Sequence, residues 1–164
     1  MNVYEFAMKM ELDGKTFYEE HAAKIENAQL KKILIELADD EQKHYNIFKA
    51  MYDGEKAQYQ DSEKTTILTL VKNTFEQMKA SDVEYTFPAD ARAIWEQARE
   101  IEKKAEQFYR EKAVELPTKS EQEVFCKIAE EERRHWVTME NIIQFLDRPS
   151  TWLDNAEWSD LDNH

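Results

Sequence analysis

A single offset of 91 residues maps one half of this chain onto the other. Glu41-Gln-Lys-His44 recurs as Glu132-Arg-Arg-His135, Glu11 as Glu102, and Tyr18 as Tyr109. Ala7/Ala98, Phe17/Phe108, Ala22/Ala113 and Ala38/Ala129 keep the same offset. Such a chain is constrained to fold as two like units, each burying the same stripe of residues.

Those units are helical. Two glycines and three prolines in 164 residues, among abundant Glu, Lys, Ala, Leu and Gln, favour helix throughout. The periodicity predicts helix one over about Val3–Ile25 and helix two over about Ala28–Met51. Gly54 and the polar run Glu55–Lys64 then break the pattern. Thr65–Ala80 has apolar Ile67, Leu68, Val71, Phe75 and Met78 at helical spacing, so a short helix is expected within a long crossover. Pro88 suits the first turn of helix three, which runs to about Leu116. Thr118-Lys-Ser-Glu121 reads as a capping box opening helix four, which ends before Pro149.

Two short hairpins joined by a long crossover make an all-α, ferritin-like four-helix bundle. Residues 1–147 are expected to form that bundle as one domain. The tail 148–164 carries Trp152, Leu153 and Trp158 and is expected to pack on the bundle or on a neighbouring subunit.

Glutamates on a charge-rich helix ordinarily face water, and position along the seam decides otherwise here. In helix two, Leu30, Leu34, Leu37, Glu41, His44, Phe48 and Met51 follow alternating steps of four and three. Helix four repeats this as Phe125, Ile128, Glu132, His135, Met139 and Ile142. Helix one gives Tyr4, Ala7, Glu11, Gly14 and Tyr18, and helix three gives Trp95, Ala98, Glu102, Ala105 and Tyr109. The ligand candidates lie fourteen to eighteen residues from their hairpin turns, taken near residue 27 and Pro117. That places all six roughly 20–27 Å along the bundle, in one layer.

Four buried carboxylates cost several kcal/mol each without partners, and two histidines cannot neutralise them. Metal ions can. Residues three apart on a helix point the same way, so each Glu-x-x-His can offer both side chains to one ion. Glu11, Glu41 and His44 are assigned to one metal and Glu102, Glu132 and His135 to the other. Oxygen-rich ligation with one imidazole per ion suits iron or manganese, with zinc as an adventitious occupant. Tyr18 and Tyr109 are placed to hydrogen-bond ligand carboxylates. The small Gly14, Ala105, Ala7 and Ala98 serve either close helix packing or room for ions and a small oxidant. His21 reads as a polar group at the bundle end, and Asp39, Asp40, Glu130 and Glu131 as solvated or near-surface charges. Cys126 reads as a small packing residue, and the terminal His164 is uninformative.

A net charge of −13 with no visible Lys/Arg cluster argues against nucleic-acid binding. The lone cysteine allows neither a disulfide framework nor a Cys-x-x-Cys site. No apolar run reaches the length of a membrane span, and the first residues lack signal-peptide character, so a cytoplasmic protein away from membranes is expected.

Met10-Glu11…Phe17-Tyr18, Ala38-Asp-Asp-Glu41-Gln-Lys-His44, Ile101-Glu102…Phe108-Tyr109 and Ala129-Glu-Glu-Glu132-Arg-Arg-His135 together resemble the rubrerythrin branch of the ferritin-like superfamily. Arg148-Pro149…Trp152-Leu153-Asp-Asn-Ala156-Glu157 is similar to the tail of its single-domain members. The resemblance implies a two-iron oxidoreductase that reduces hydrogen peroxide, or dioxygen, with Glu41 and Glu132 as the carboxylates that bridge the ions. Its rival is a ferroxidase oxidising Fe(II); a rival of another class is a non-catalytic metal-binding or structural helical protein. A homodimer or small homo-oligomer is expected. Full-length rubrerythrins also carry a four-cysteine, rubredoxin-like iron site, which a single cysteine excludes here. Electrons are therefore expected from an external donor protein such as a rubredoxin. The family's additional carboxylate on helix three would fall at Lys104 or Ala105, leaving a symmetric four-Glu, two-His set.

Overall fold

A computed structural model describes residues 2–55, 66–80 and 91–147 of the chain. Pro88, most of the polar crossover and the aromatic tail lie outside these. Among the described residues every regular element is a helix: α1 (Val3–Lys24), α2 (Ala28–Tyr52), α3 (Thr66–Ala80), α4 (Ala91–Ala113) and α5 (Lys119–Asp147). None is long and apolar enough to cross a membrane.

Local chemistry sets the ends. Asn2 caps α1 by accepting the Glu5 amide at 2.9 Å while Glu5 reaches back to the Asn2 amide, a reciprocal capping box. Asn27 caps α2 through the Leu30 amide at 3.0 Å, so three residues suffice to turn the first hairpin. At the other end of α2, Gly54 adopts φ 77°, a left-handed conformation that costs other residues more. This lets the Glu55 amide return to the Ala50 carbonyl at 2.9 Å. Thr118 caps α5 by accepting the Glu121 amide at 3.2 Å, as expected, whereas the Glu121 carboxylate accepts the hydroxyl of Tyr4.

α1 packs along α2 and α4 along α5, making two hairpins that meet through α1 and α4, while α3 bridges α2 and α5. The buried stripes divide the interior into two apolar clusters. One gathers Leu30, Leu34, Leu37, Trp95, Met139 and Ile142, and α3 adds Ile67, Val71, Phe75 and Met78 to it. Phe75 stacks on Phe145 with ring centroids 4.0 Å apart. The other gathers Ala7, Phe48, Met51, Ala105, Tyr109, Phe125 and Ile128. Along every bundle helix the stripe passes from one cluster to the other through a polar stretch. The glutamates and histidines therefore occupy a layer with apolar packing on both sides.

Phe48 stands directly beside that layer, fully buried, with its ring 5.1 Å from Tyr109 and 5.2 Å from Phe125. Phe48→Ala is expected to cost about 3–5 kcal/mol in urea unfolding. Ile35→Ala, at a residue 47% exposed on the same helix, should change stability by no more than about 0.5 kcal/mol.

Candidate metal centre

Glu11, Glu41, His44, Glu102, Glu132 and His135 are each at most 3% exposed and converge between the two apolar clusters. α1 and α4 contribute one glutamate each, while α2 and α5 contribute a glutamate and the histidine one turn later. Their ligand atoms fall into two groups, Glu11–Glu41–His44–Glu132 and Glu41–Glu102–Glu132–His135, each with its atoms within 4.8 Å of one another. Glu41 and Glu132 belong to both groups, the placement of a bridging pair.

The hydrogen bonding of the layer is one-sided. Tyr18 donates to Glu102 Oε1 at 2.5 Å, and Tyr109 donates to Glu11 Oε1 at 2.7 Å. Each phenol thus serves the glutamate of the opposite hairpin. The inward atoms have no such partner. Glu11 Oε2, Glu41 Oε1, Glu102 Oε2, both carboxylate oxygens of Glu132, and Nδ1 of His44 and of His135 are buried without a hydrogen bond. His44 Nδ1 lies 3.0 Å from Glu132 and 3.5 Å from Glu11, and His135 Nδ1 lies 3.6 Å from Glu102, without hydrogen-bonding alignment. Buried polar atoms normally find partners, so seven orphaned ligand atoms aimed into one space fit a pair of cations.

Two residues taken from the sequence as near-surface charges belong to this layer. Glu131 is buried, and its carboxylate accepts from His44 Nε2 at 2.6 Å. Asp40, partly buried, accepts from His135 Nε2 at 3.1 Å. Their neighbours Asp39 and Glu130 are exposed and half-buried, in keeping with the expectation. A carboxylate can only accept here, so Nε2 carries the proton and Nδ1 is the atom left for an ion. Asp40 and Glu131 are themselves 91 residues apart, the signal that could have drawn them in.

Gly14 also acquires a reason. A Cβ built on it would stand 3.0 Å from Glu41 Oε2 and 3.4 Å from Glu41 Cδ, so the missing side chain admits that carboxylate. Ala7 and Ala98 are fully buried in the apolar clusters and serve packing. His21 is half-buried at the bundle end, with Nδ1 2.8 Å from the Phe17 carbonyl. Cys126 is exposed, which corrects the expectation of a packing role: one position past Phe125, it is turned off the buried stripe.

Electrostatics in the metal-free chain follow from this crowding. Burial pushes the Glu41 carboxyl well above its usual range, and the charges of Glu102 and Glu11 add to the rise. Burial is the largest influence on Glu11 and would raise it, but the His44 charge and the surrounding hydrogen-bonding groups, Tyr109 among them, together hold that carboxyl low. Burial opposes charge on both histidines, yet Glu11 and Glu131 lift His44 well above its usual value. Glu102 and Asp40 likewise push His135 up to about 10. Burial and then Glu102 raise Tyr18, and burial and then Glu11 raise Tyr109, so both stay phenols.

Two expectations follow. In the metal-free layer the raised pKa values of Glu41, His44 and His135 favour their protonated forms, and a metal ion must displace the protons on the ligating atoms. Metal binding should therefore release protons and weaken as pH falls, seen calorimetrically as a binding enthalpy that depends on buffer ionisation. Gly14→Ala should keep the fold, since Ala gains about 1 kcal/mol of helix propensity over Gly. It should still bind metal more weakly, because Glu41 must move; thermal unfolding and metal titration on one preparation separate the two effects.

Residues 2–143 match the family model described as Rubrerythrin. Comparison with curated proteins and with solved structures gives no match. The matched segment contains both hairpins, the crossover and every residue of the buried layer, and stops at Ile143, short of the tail. By that match, and by its all-helical bundle, the chain belongs to the rubrerythrin family, ferritin-like di-iron carboxylate proteins.

Proposed function

We propose that the chain is a rubrerythrin-type peroxidase that reduces hydrogen peroxide to two waters, using two electrons and two protons. The observation that carries this reading is the set of seven orphaned ligand atoms in one dry layer, with Glu41 and Glu132 common to both halves. Glu11, Glu41 and His44 would hold one ion, and Glu102, Glu132 and His135 the other. Two iron ions, when bound, supply the two electrons and Lewis acidity toward the peroxide oxygens.

The chain's own residues do the rest. Tyr18 and Tyr109 orient Glu102 and Glu11 from across the bundle and keep their protons on the phenol oxygens. The apolar clusters above and below limit water, which strengthens every charge interaction within the layer. An external electron-donor protein, for which a rubredoxin is the model, would restore the reduced state.

Stopped-flow oxidation of the reduced, iron-loaded protein tests the oxidant. Faster reaction with peroxide than with dioxygen is expected; a preference for dioxygen would replace the peroxidase with a ferroxidase. Glu41→Ala/Glu132→Ala removes both shared carboxylates and should drop iron content below about one ion per chain. Full retention of iron in that variant would sink both readings.

A further inference from the structure

The two halves of the layer are related by the repeat but not alike, and the difference lies behind the histidines. Glu131 reaches His44 Nε2 at 2.6 Å and is only 5% exposed in its side chain. Asp40, one methylene shorter, stands 3.1 Å from His135 Nε2, is 13% exposed, and has Lys43 Nζ 3.8 Å away. The inward faces differ in the same sense. His44 Nδ1 has two carboxylate oxygens within 3.5 Å, whereas His135 Nδ1 stands 3.6 Å from Glu102.

We propose that Asp40 and Glu131 are positioning residues, each fixing the imidazole of the opposite hairpin, and that their inequality makes the two metal positions unequal. The ion beside His44 is then the tighter and first to bind, and the ion beside His135 the weaker. This rests on the two-metal reading of the layer.

The physical basis is how a carboxylate behind a histidine acts. By accepting the Nε2 proton it fixes the ring's tautomer and rotation, and it makes Nδ1 a more basic donor. A short hydrogen bond in dry surroundings does this better than a longer one whose acceptor also faces water. Glu131 meets the first description and Asp40 the second. The arrangement also crosses the molecule. The anchor of each imidazole sits one residue before a ligand glutamate of the other hairpin, so seating one half of the centre depends on the backbone of the other half.

The test is a zinc titration of the full-length protein, followed by nitrogen-15 NMR of the histidine rings and by calorimetry. At one equivalent of zinc, His44 Nδ1 should show the metal-bound shift while His135 stays largely unbound; the second equivalent should complete His135. Asp40→Asn should weaken the second step about 10–100-fold and leave the first nearly unchanged, and Glu131→Gln should weaken the first. Asp40→Glu should narrow the gap between the steps, a rescue that a merely structural role for Asp40 would not produce. Circular dichroism confirms that each variant is folded. Should Asp40→Asn not fold, the zinc order in the wild type and the narrowed gap in Asp40→Glu still decide the question. Equal filling of both histidines at one equivalent, or His135 filling first, overturns the inequality while leaving the two-metal centre intact. Uptake of less than one zinc per chain overturns both.

Discussion

The bundle is organised around a desolvation problem. Four carboxylates and two imidazoles share a layer closed by apolar packing on both sides, where a lone charge is costly. The metal-free chain meets the cost by redistributing protons. Glu41 is driven toward its neutral form, and His44 and His135 become cations facing the remaining carboxylates. Two opposite charges held by fixed partners replace what would otherwise be bare anions. The same groups link the halves of the molecule: Tyr18–Glu102, Tyr109–Glu11, His44–Glu131 and His135–Asp40 all run from one hairpin to the other. Within a hairpin the helices pack along their length. Across the seam, these bonds set how the hairpins face each other.

Much of this was legible because a helical stripe is one-dimensional. Once Glu41 and His44 fall between Leu37 and Phe48 on a three-four pattern, their burial follows from the neighbours on either side, and α2 buries all four. The end of helix two and the start of helix four also followed, because Gly54 and Thr118 mark them with local chemistry, whereas helix three stops at Ala113, three residues short of the expected Leu116. Asp40 and Glu131 escaped for a reason of the same kind. Each precedes a ligand glutamate by one residue, about 100° around the helix, and so reads as flank on its own wheel. The flank of α2 faces α5 at this level, and a single-helix pattern does not record which neighbour stands there. The repeat alone would not have isolated them, since Asp39 and Glu130 are also acidic at the same offset yet remain outside the layer.

Gly14 shows how a local rule is broken where the site requires it. Glycine in mid-helix is unfavourable by about 1 kcal/mol against alanine, and its repeat mate is Ala105. The Glu41 carboxylate occupies the space a methyl group would fill on α1. The conformational cost in α1 is thereby exchanged for a defined position of a carboxyl that burial and its neighbours drive toward the neutral form. Close packing and room for the centre, which the sequence left as alternatives at the small positions, separate by residue: Gly14 accommodates a ligand, and Ala7 and Ala98 pack.

A duplicated hairpin need not remain symmetric, and the departures in this chain concern support more than the six convergent groups. Glu11/Glu102, Glu41/Glu132 and His44/His135 are identical pairs, as are Tyr18/Tyr109. Gly14/Ala105 and Asp40/Glu131 differ, and α3 adds its buried side chains to only one of the two apolar clusters. A ligand changed in one half would remove a donor atom outright. A changed neighbour alters only the angle, basicity or room of a donor that stays in place. Divergence between the halves can therefore accumulate around the centre while its composition is preserved. Because each supporting bond crosses to the other hairpin, neither hairpin can drift without altering the donors of its partner. That reciprocal dependence gives a physical reason for both copies to keep the same glutamates and histidines at the same register.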